Sequence, residues 1–184
     1  MFLEGYFLKK SLKNRDMEQR DIVRAVIFRE GVQGLEYFLL EKMKSSGEWY
    51  HTQLQGGLDG LDPLSAAVTE VGEEIGVHRG YYFVDTLCHL EPYVTTRGPE
   101  KTETKTVPYG VAVLLVDDHN MVFEDKHRDG GWHSRERVVE LLVRFPEQRP
   151  LFEAVCTRLE QALHEGGLAQ LRTYNPPGET YAPI

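Results

Sequence analysis

Hydrophobic positions along the chain follow two rhythms, one extended and one helical. Asp21–Arg29 (DIVRAVIFR) and Leu35–Lys42 (LEYFLLEK) are rich in β-branched and aromatic residues and flank Gly31 and Gly34, so they predict two strands around a turn. A third extended piece, Glu48–Leu54, leads into Gly56-Gly57. The period then changes to helical over Pro63–Ile75, with Asp62 placed to cap the helix, Pro63 at its first position and Gly76 ending it. Tyr81–Thr95 and Thr106–Val116 read as strands, and Arg97–Lys105 between them as a polar loop. Short extended pieces are expected at Met121–Phe123 and around Trp132.

Ser134 is placed to cap a helix running through Leu142. A second helix, Pro146–Glu165, carries Leu151, Phe152, Val155, Cys156, Leu159, Ala162 and Leu163 on one stripe and closes at Gly166-Gly167. The charged run Lys13–Arg20 predicts an arm or short helix over residues 1–20, and Leu168–Ile184 an irregular tail. The intervening 21–167 forms one mixed α/β layered domain.

With 184 residues and 41% of them hydrophobic, the chain suffices for one domain with a real core. No run approaches the ~18 apolar residues that span a bilayer, and Met1–Lys10 makes a poor signal peptide. A cytoplasmic protein without membrane partners is therefore expected. Twenty-one Lys and Arg against 29 Asp and Glu give a net charge of −8, which disfavours extended nucleic acid as a partner. A small anion would need a local device, such as a bound cation, to offset that repulsion. Cys88 and Cys156 are too few for a disulfide framework or a zinc site and read as buried thiols.

The chemistry concentrates in Gly56–Val77 (GGLDGLDPLSAAVTEVGEEIGV). At ~100° per residue, Glu70, Glu73 and Glu74 share one helix face, while Leu64, Val68, Val71 and Ile75 gather about 100–160° away, on the stripe expected to pack on a sheet. Ala66 and Ala67 flank the acidic face, where their small side chains would leave room for something to approach. Carboxylates at i, i+3 and i+4 repel one another by roughly 0.2–0.5 kcal/mol per pair. A hard divalent cation reverses that penalty, because Mg²⁺ or Mn²⁺ takes oxygen ligands and commonly shares them with substrate phosphates. Gly56-Gly57 after a strand lets the backbone turn sharply and come close to a ligand or ion. A plain solvated acidic face is the competing reading of the helix taken alone.

Gly56–Val77 resembles the Nudix box, GX5EX7REUXEEXGU with U a bulky aliphatic residue. Glu70-Val71-Gly72-Glu73-Glu74-Ile75-Gly76-Val77 fills EUXEEXGU at every specified position. The first half departs. Counted from Gly56 the box is one residue short, Leu61 stands nearest the first Glu, and Thr69 replaces the Arg. In that family the Glu and Arg belong partly to the support of the loop and helix. Their joint loss strands no charge, and Asp62 is a partial substitute for the carboxylate.

The resemblance, which extends over Asp21–Glu165, implies an α/β/α sandwich with a mixed sheet. It also implies hydrolysis of a phosphoanhydride in a nucleoside diphosphate-linked substrate, a nucleoside triphosphate or dinucleoside polyphosphate first. It gives Glu70, Glu73 and Glu74 the role of holding Mg²⁺, with Mn²⁺ as a second option, and it suggests a further acidic residue from a loop as general base. Glu124 and Asp125 are the candidates for that base. Gly56, Gly57, Arg24 and Lys42 are the candidate substrate-binding positions, with Lys44, Arg97, Lys101 and Lys105 as further cations, and Tyr93, Tyr109 and Trp132 as aromatics able to stack a base. A small-molecule nucleotide is thus the expected partner, and a homodimer stays open. The departures in the box keep a second reading alive, a non-catalytic module that senses a nucleotide.

Overall fold

The computed structural model describes residues 17–77, 80–97, 102–115, 121–123, 125–166 and 173–174. In chain order the elements are β1 (Gln19–Gly31), β2 (Gly34–Met43), β3 (Trp49–Thr52), β4 (Leu54–Gly57), α1 (Pro63–Ile75), β5 (Gly80–His89), β6 (Tyr93–Arg97), β7 (Thr102–Leu115), β8 (His127–His133), α2 (Arg135–Leu141), α3 (Arg149–Gly166) and β9 (Thr173–Tyr174). A 3-10 turn, Leu142–Arg144, extends α2.

The strands form one mixed sheet, ordered β3-β2-β1-β7-β5-β9. Its spine is the parallel pair β1 and β7, in register from Gln19 opposite Lys105 to Phe28 opposite Leu114. Other pairings are antiparallel, and they divide the spine lengthwise. The first half of β1 pairs with β4 (Ile22 to Ala25 against Gly57 to Leu54), and its last residues pair with β2 (Phe28 to Gly31 against Tyr37 to Gly34). The first half of β7 likewise pairs with β6, and its second half with β5. Only long strands can serve two partners on one edge, which is the structural use of the extended apolar runs.

Alternation along each strand sorts the core into two layers. Val23, Ala25 and Ile27 of β1 join Phe38 and Leu40 of β2 beneath α1. Val26 and Phe28 join Tyr37, Leu39 and the buried faces of α2 and α3 on the other side. The expected helix–sheet–helix sandwich with a mixed sheet is what forms. Gly110 of β7 lies under α3, and a Cβ there would come within 2.8 Å of Val155 Cγ2, so the missing side chain lets the helix sit close.

Local chemistry sets α1 as expected. Asp62 accepts hydrogen bonds from the backbone N–H of Leu64 (3.0 Å) and Ser65 (3.1 Å), and Gly76 ends the helix in the left-handed region at φ 67°. Its packing differs from expectation. Ala66 and Ala67 are fully buried rather than lining open space, whereas Leu64 and Val68 are only partly covered. Small residues facing the sheet let the helix approach closely. The buried face is thereby rotated toward the acidic face and centred about 60–100° from Glu70, and Glu74 is drawn into it at 7% exposure.

Several boundaries also shift. The extended stretch Tyr81–Thr95 is two strands, broken at Leu90–Pro92, where Pro92 lacks the N–H a ladder requires. Most of the expected loop Arg97–Lys105 is strand: β6 and β7 form an antiparallel hairpin, and residues 98–101 lie outside the described residues. The single piece Glu48–Leu54 is also two strands, β3 on β2 and the start of β4 on β1. Met121–Phe123 is irregular, although Met121 and Phe123 pack on the α1-side core. The last helix starts at Arg149, because Glu147 and Gln148 form a turn whose Gln148 N–H donates to the Phe145 carbonyl. The N-terminal arm, residues 1–16, and all of the tail except β9 lie outside the described residues. Cys88 and Cys156 are buried free thiols. Among the described residues no helix is long and apolar enough to cross a membrane.

Candidate functional site

The site grows from the junction of β4 and α1. On β4, Gly56 lies opposite Val23, so it faces the α1 layer, and Gln55, opposite Arg24, faces the other. A Cβ on Gly56 would overlap the carboxylate of Glu70, so that only glycine lets this side chain lie flat against the strand. Burial there disfavours the charged form of Glu70, the negative charges of Glu74 and Glu73 add to the effect, and its pKa rises from the ordinary value of 4.5 to about 7.

Glu74 lies deeper. It accepts a hydrogen bond from the Gln55 backbone N–H at 3.3 Å and forms an ion pair with the Lys42 ammonium. Strand alternation explains the pairing, since Phe38, Leu40 and Lys42 lie on the α1 side of β2 and the last of them reaches the helix. Glu73 is exposed. The three carboxylates therefore occupy three environments, half-buried on Gly56, buried on Lys42 and open to solvent. Among the described residues no three His, Cys, Asp or Glu side chains are gathered as a ready metal cluster. Like charges on one face repel, and Lys42 supplies the counter-charge at Glu74.

This donor set nevertheless suits a hard divalent cation. The acidic oxygens project from consecutive turns of one rigid helix, and the one pressed on Gly56 sits in a cradle that any side chain on that glycine would fill. The substrate-side candidates divide. Gly57 lies beside Asp59 and Arg20, whose Nη2 would be 3.3 Å from a Cβ at that position. Asp59 takes a left-handed conformation at φ 46°, and the start of β1, Gln19–Asp21, lines with the loop Leu58–Gly60 an open cleft of about 320 Å³. Arg24 is not a surface cation: it is 1% exposed and its guanidinium donates to Gln55 Oε1 (2.9 Å), the Glu147 carbonyl (3.1 Å) and Tyr93 Oη (2.8 Å).

Lys44 pairs with Glu48 at 2.9 Å, Tyr109 contacts the His89 ring, and Trp132 packs on Phe38 beneath the Arg29 guanidinium. Asp125 is exposed, whereas Glu124, Lys101 and the side chain of Arg97 lie outside the described residues. Sequence reading overlooked Arg20, the Gln55 N–H and the contact of Lys42 with Glu74. Parity along β2 and β4 is the signal for the last two, because Lys42 is two residues beyond core Leu40 and Gln55 precedes the glycines.

No family model and no curated protein sequence matches the chain. Solved structures do. A C. elegans Ap4A hydrolase in a binary complex is 19% identical at a TM-score of 0.58, over 77% of this chain and 98% of that one. The Nudix domain of Shewanella oneidensis NrtR complexed with ADP ribose is 18% identical at 0.54, over 77% and 88%. A Nudix hydrolase from Nitrosomonas europaea is 19% identical at 0.51, over 85% and 98%. At these identities the likeness is one of fold, and the chain has the Nudix fold.

Proposed function

We propose that this chain is a divalent-cation-dependent hydrolase that cleaves a phosphoanhydride bond in a nucleoside diphosphate-linked small molecule, a nucleoside triphosphate or dinucleoside polyphosphate first among them. The observation that carries this reading is the seat of Glu70 on Gly56, beside Glu73 and Glu74 on a helix packed to the sheet. Glu70, Glu73 and Glu74 would hold Mg²⁺ or Mn²⁺, which supplies charge neutralisation on the phosphates and a more acidic bound water. The neighbouring structures named with Ap4A hydrolase activity and ADP ribose support a nucleotide as the ligand class.

The chain's own residues do the rest. Without a cation the Glu70 pKa is raised to about 7, so a cation gripped by this carboxylate would displace its proton near neutral pH. Lys42, on β2, holds Glu74, and in this reading its ammonium would meet the anionic substrate. Gly57 leaves the loop backbone free for close approach, with Arg20 alongside. Glu124 stays a candidate for the general base from its loop.

One observation favours a second reading. The Lys42–Glu74 ion pair already neutralises a carboxylate, as suits a module that binds a nucleotide without turning it over. Release of phosphate or pyrophosphate from a nucleotide panel with Mg²⁺ or Mn²⁺ separates the two. Hydrolysis that falls about 10²–10³-fold in Glu73→Gln and Glu74→Gln supports the enzyme. Tight nucleotide binding by calorimetry with no turnover on any member of the panel supports the sensor.

A further inference from the structure

The face of the sheet away from α1 carries an arrangement that the acidic helix does not explain. Arg24 is among the largest fully buried side chains, and its three hydrogen-bond acceptors are all neutral: an amide, a backbone carbonyl and a phenol. Burying a guanidinium on such partners is costly, and an apolar residue of similar volume would fill the space at lower cost. Its acceptors come from three separate elements, β4, the turn before α3, and β6. That turn also holds the link that leads into β4, since Gln148 Oε1 accepts from Thr52 Oγ1 at the end of β3 (3.2 Å) and from the Gln53 N–H (3.4 Å).

β4 is thus held through its Gln55 side chain on the face away from α1 and through the link that enters it, while toward α1 its Gln55 N–H holds Glu74 and its Gly56 cradles Glu70. The sequence explains why such a brace is useful. The Arg and Glu that support loop and helix in the motif this segment resembles are replaced by Thr69 and Leu61. Thr69 Oγ1 only bonds back to the Ser65 carbonyl, and Leu61 is exposed.

We infer that Arg24 is a positioning residue that, by clamping the Gln55 side chain, sets the β4 backbone against which Glu70 and Glu74 are arranged for their cation. The inference rests on the proposed function, because the cation is what makes the arrangement matter. Arg24 touches neither carboxylate and acts through Gln55.

Mn²⁺ binding by the purified full chain, followed by electron paramagnetic resonance, tests this without relying on turnover. Arg24→Lys and Gln55→Leu are each expected to weaken binding about 10–100-fold, the usual effect of losing an outer hydrogen-bond partner of a metal site. The double variant should be no worse than the poorer single one, since the two residues act as one unit. Gln55→Glu, which offers Arg24 a charge-assisted partner, should bind as wild type does. If Arg24→Lys does not fold, the contrast between Gln55→Leu and Gln55→Glu carries the test. Folded variants with lowered melting temperatures but an unchanged Mn²⁺ Kd would overturn the clamp and leave only a structural role. A wild-type chain whose Mn²⁺ binding is lost in Glu73→Gln but indifferent to both positions overturns the clamp alone, whereas a wild-type chain that takes up no Mn²⁺ overturns the proposed function and the clamp together.

Discussion

Glu70 places function and stability in opposition. Its pKa in the folded chain, about 7, stands above its ordinary 4.5, so the folded state holds the proton more tightly than the unfolded state. The resulting stabilisation is fully present below 4.5 and is lost as pH rises through 7. Glu70→Gln, which cannot ionise, should remove this slope. In the presence of a chelator at pH 8 its melting temperature should exceed that of wild type by about 2–4 °C, the shift ~1 kcal/mol gives a chain of this size, partial exposure of the group having screened the effect. An unchanged or lower melting temperature would show that the carboxylate is not under the strain described. The same variant should gain nothing from added Mn²⁺, whereas wild type should be stabilised by it.

Gly56 gives a companion prediction. Gly56→Ala must displace the Glu70 carboxylate or the strand, because no space exists for a methyl group. Overpacking of this kind costs about 1–3 kcal/mol, and chemical denaturation together with hydrolysis assays should show both stability and activity falling. Gly47→Ala, at a glycine with nothing within 4 Å but φ 84°, should strain its backbone yet leave activity unchanged.

At the level of elements, α1 depends on its ends. Asp62 satisfies two backbone N–H groups, and its removal as Asp62→Ala should cost about 0.5–2 kcal/mol, read as a shifted denaturant midpoint with unchanged slope. Because the cap lies a full helix length from Glu74, catalytic metal dependence should not change with it. This helix was the most legible part of the sequence. Its cap, first-turn proline and terminal glycine are local signals and each formed as read. What the helix faces was not legible to the same degree, since amphipathic angle alone assigned Leu64 and Val68 to the sheet and left Ala66 and Ala67 open. Close approach to a sheet favours the small residues, and only the packed structure displays it.

Strand partners were harder still to read. Nothing local in Glu48–Leu54 announces that the chain leaves β2 after Thr52 and joins β1 at Leu54, because that choice is made by residues distant in sequence. Pro92 and the hairpin of β6 with β7 show the same limit: turn residues mark where a strand must stop, while a polar composition such as Thr102–Lys105 does not prevent strand pairing at a sheet end. Arg24 is the sharpest case. It sits in an apolar run, where a charged residue reads most simply as solvent-facing, and the partners that bury it come from 31, 69 and 123 positions away.

For the molecule as a whole, the two core layers among the described residues lie on opposite faces of one sheet, and β1 with β7 is common to both. Substitutions on either side should therefore lower one cooperative transition rather than uncover two. Val155→Ala under α3 is expected to destabilise by about 1–3 kcal/mol through the cavity it leaves, with Mn²⁺ affinity of the folded fraction retained; two separate unfolding steps by calorimetry would contradict the shared spine. The net charge of −8 acts at this scale too. An acidic chain repels a polyphosphate at long range, so monovalent salt should strengthen nucleotide binding slightly by screening, whereas divalent cation should strengthen it far more, in proportion to site filling.

Everything turns on whether the α1 carboxylates hold a cation for a nucleotide. Crystals soaked with Mn²⁺ and a non-hydrolysable nucleotide, with the anomalous signal of the metal recorded, address this directly. A manganese peak is expected among the carboxylates of Glu70, Glu73 and Glu74, with the nucleotide phosphates against it. Nucleotide bound with those three side chains free of metal, or manganese located elsewhere on the chain, would contradict it.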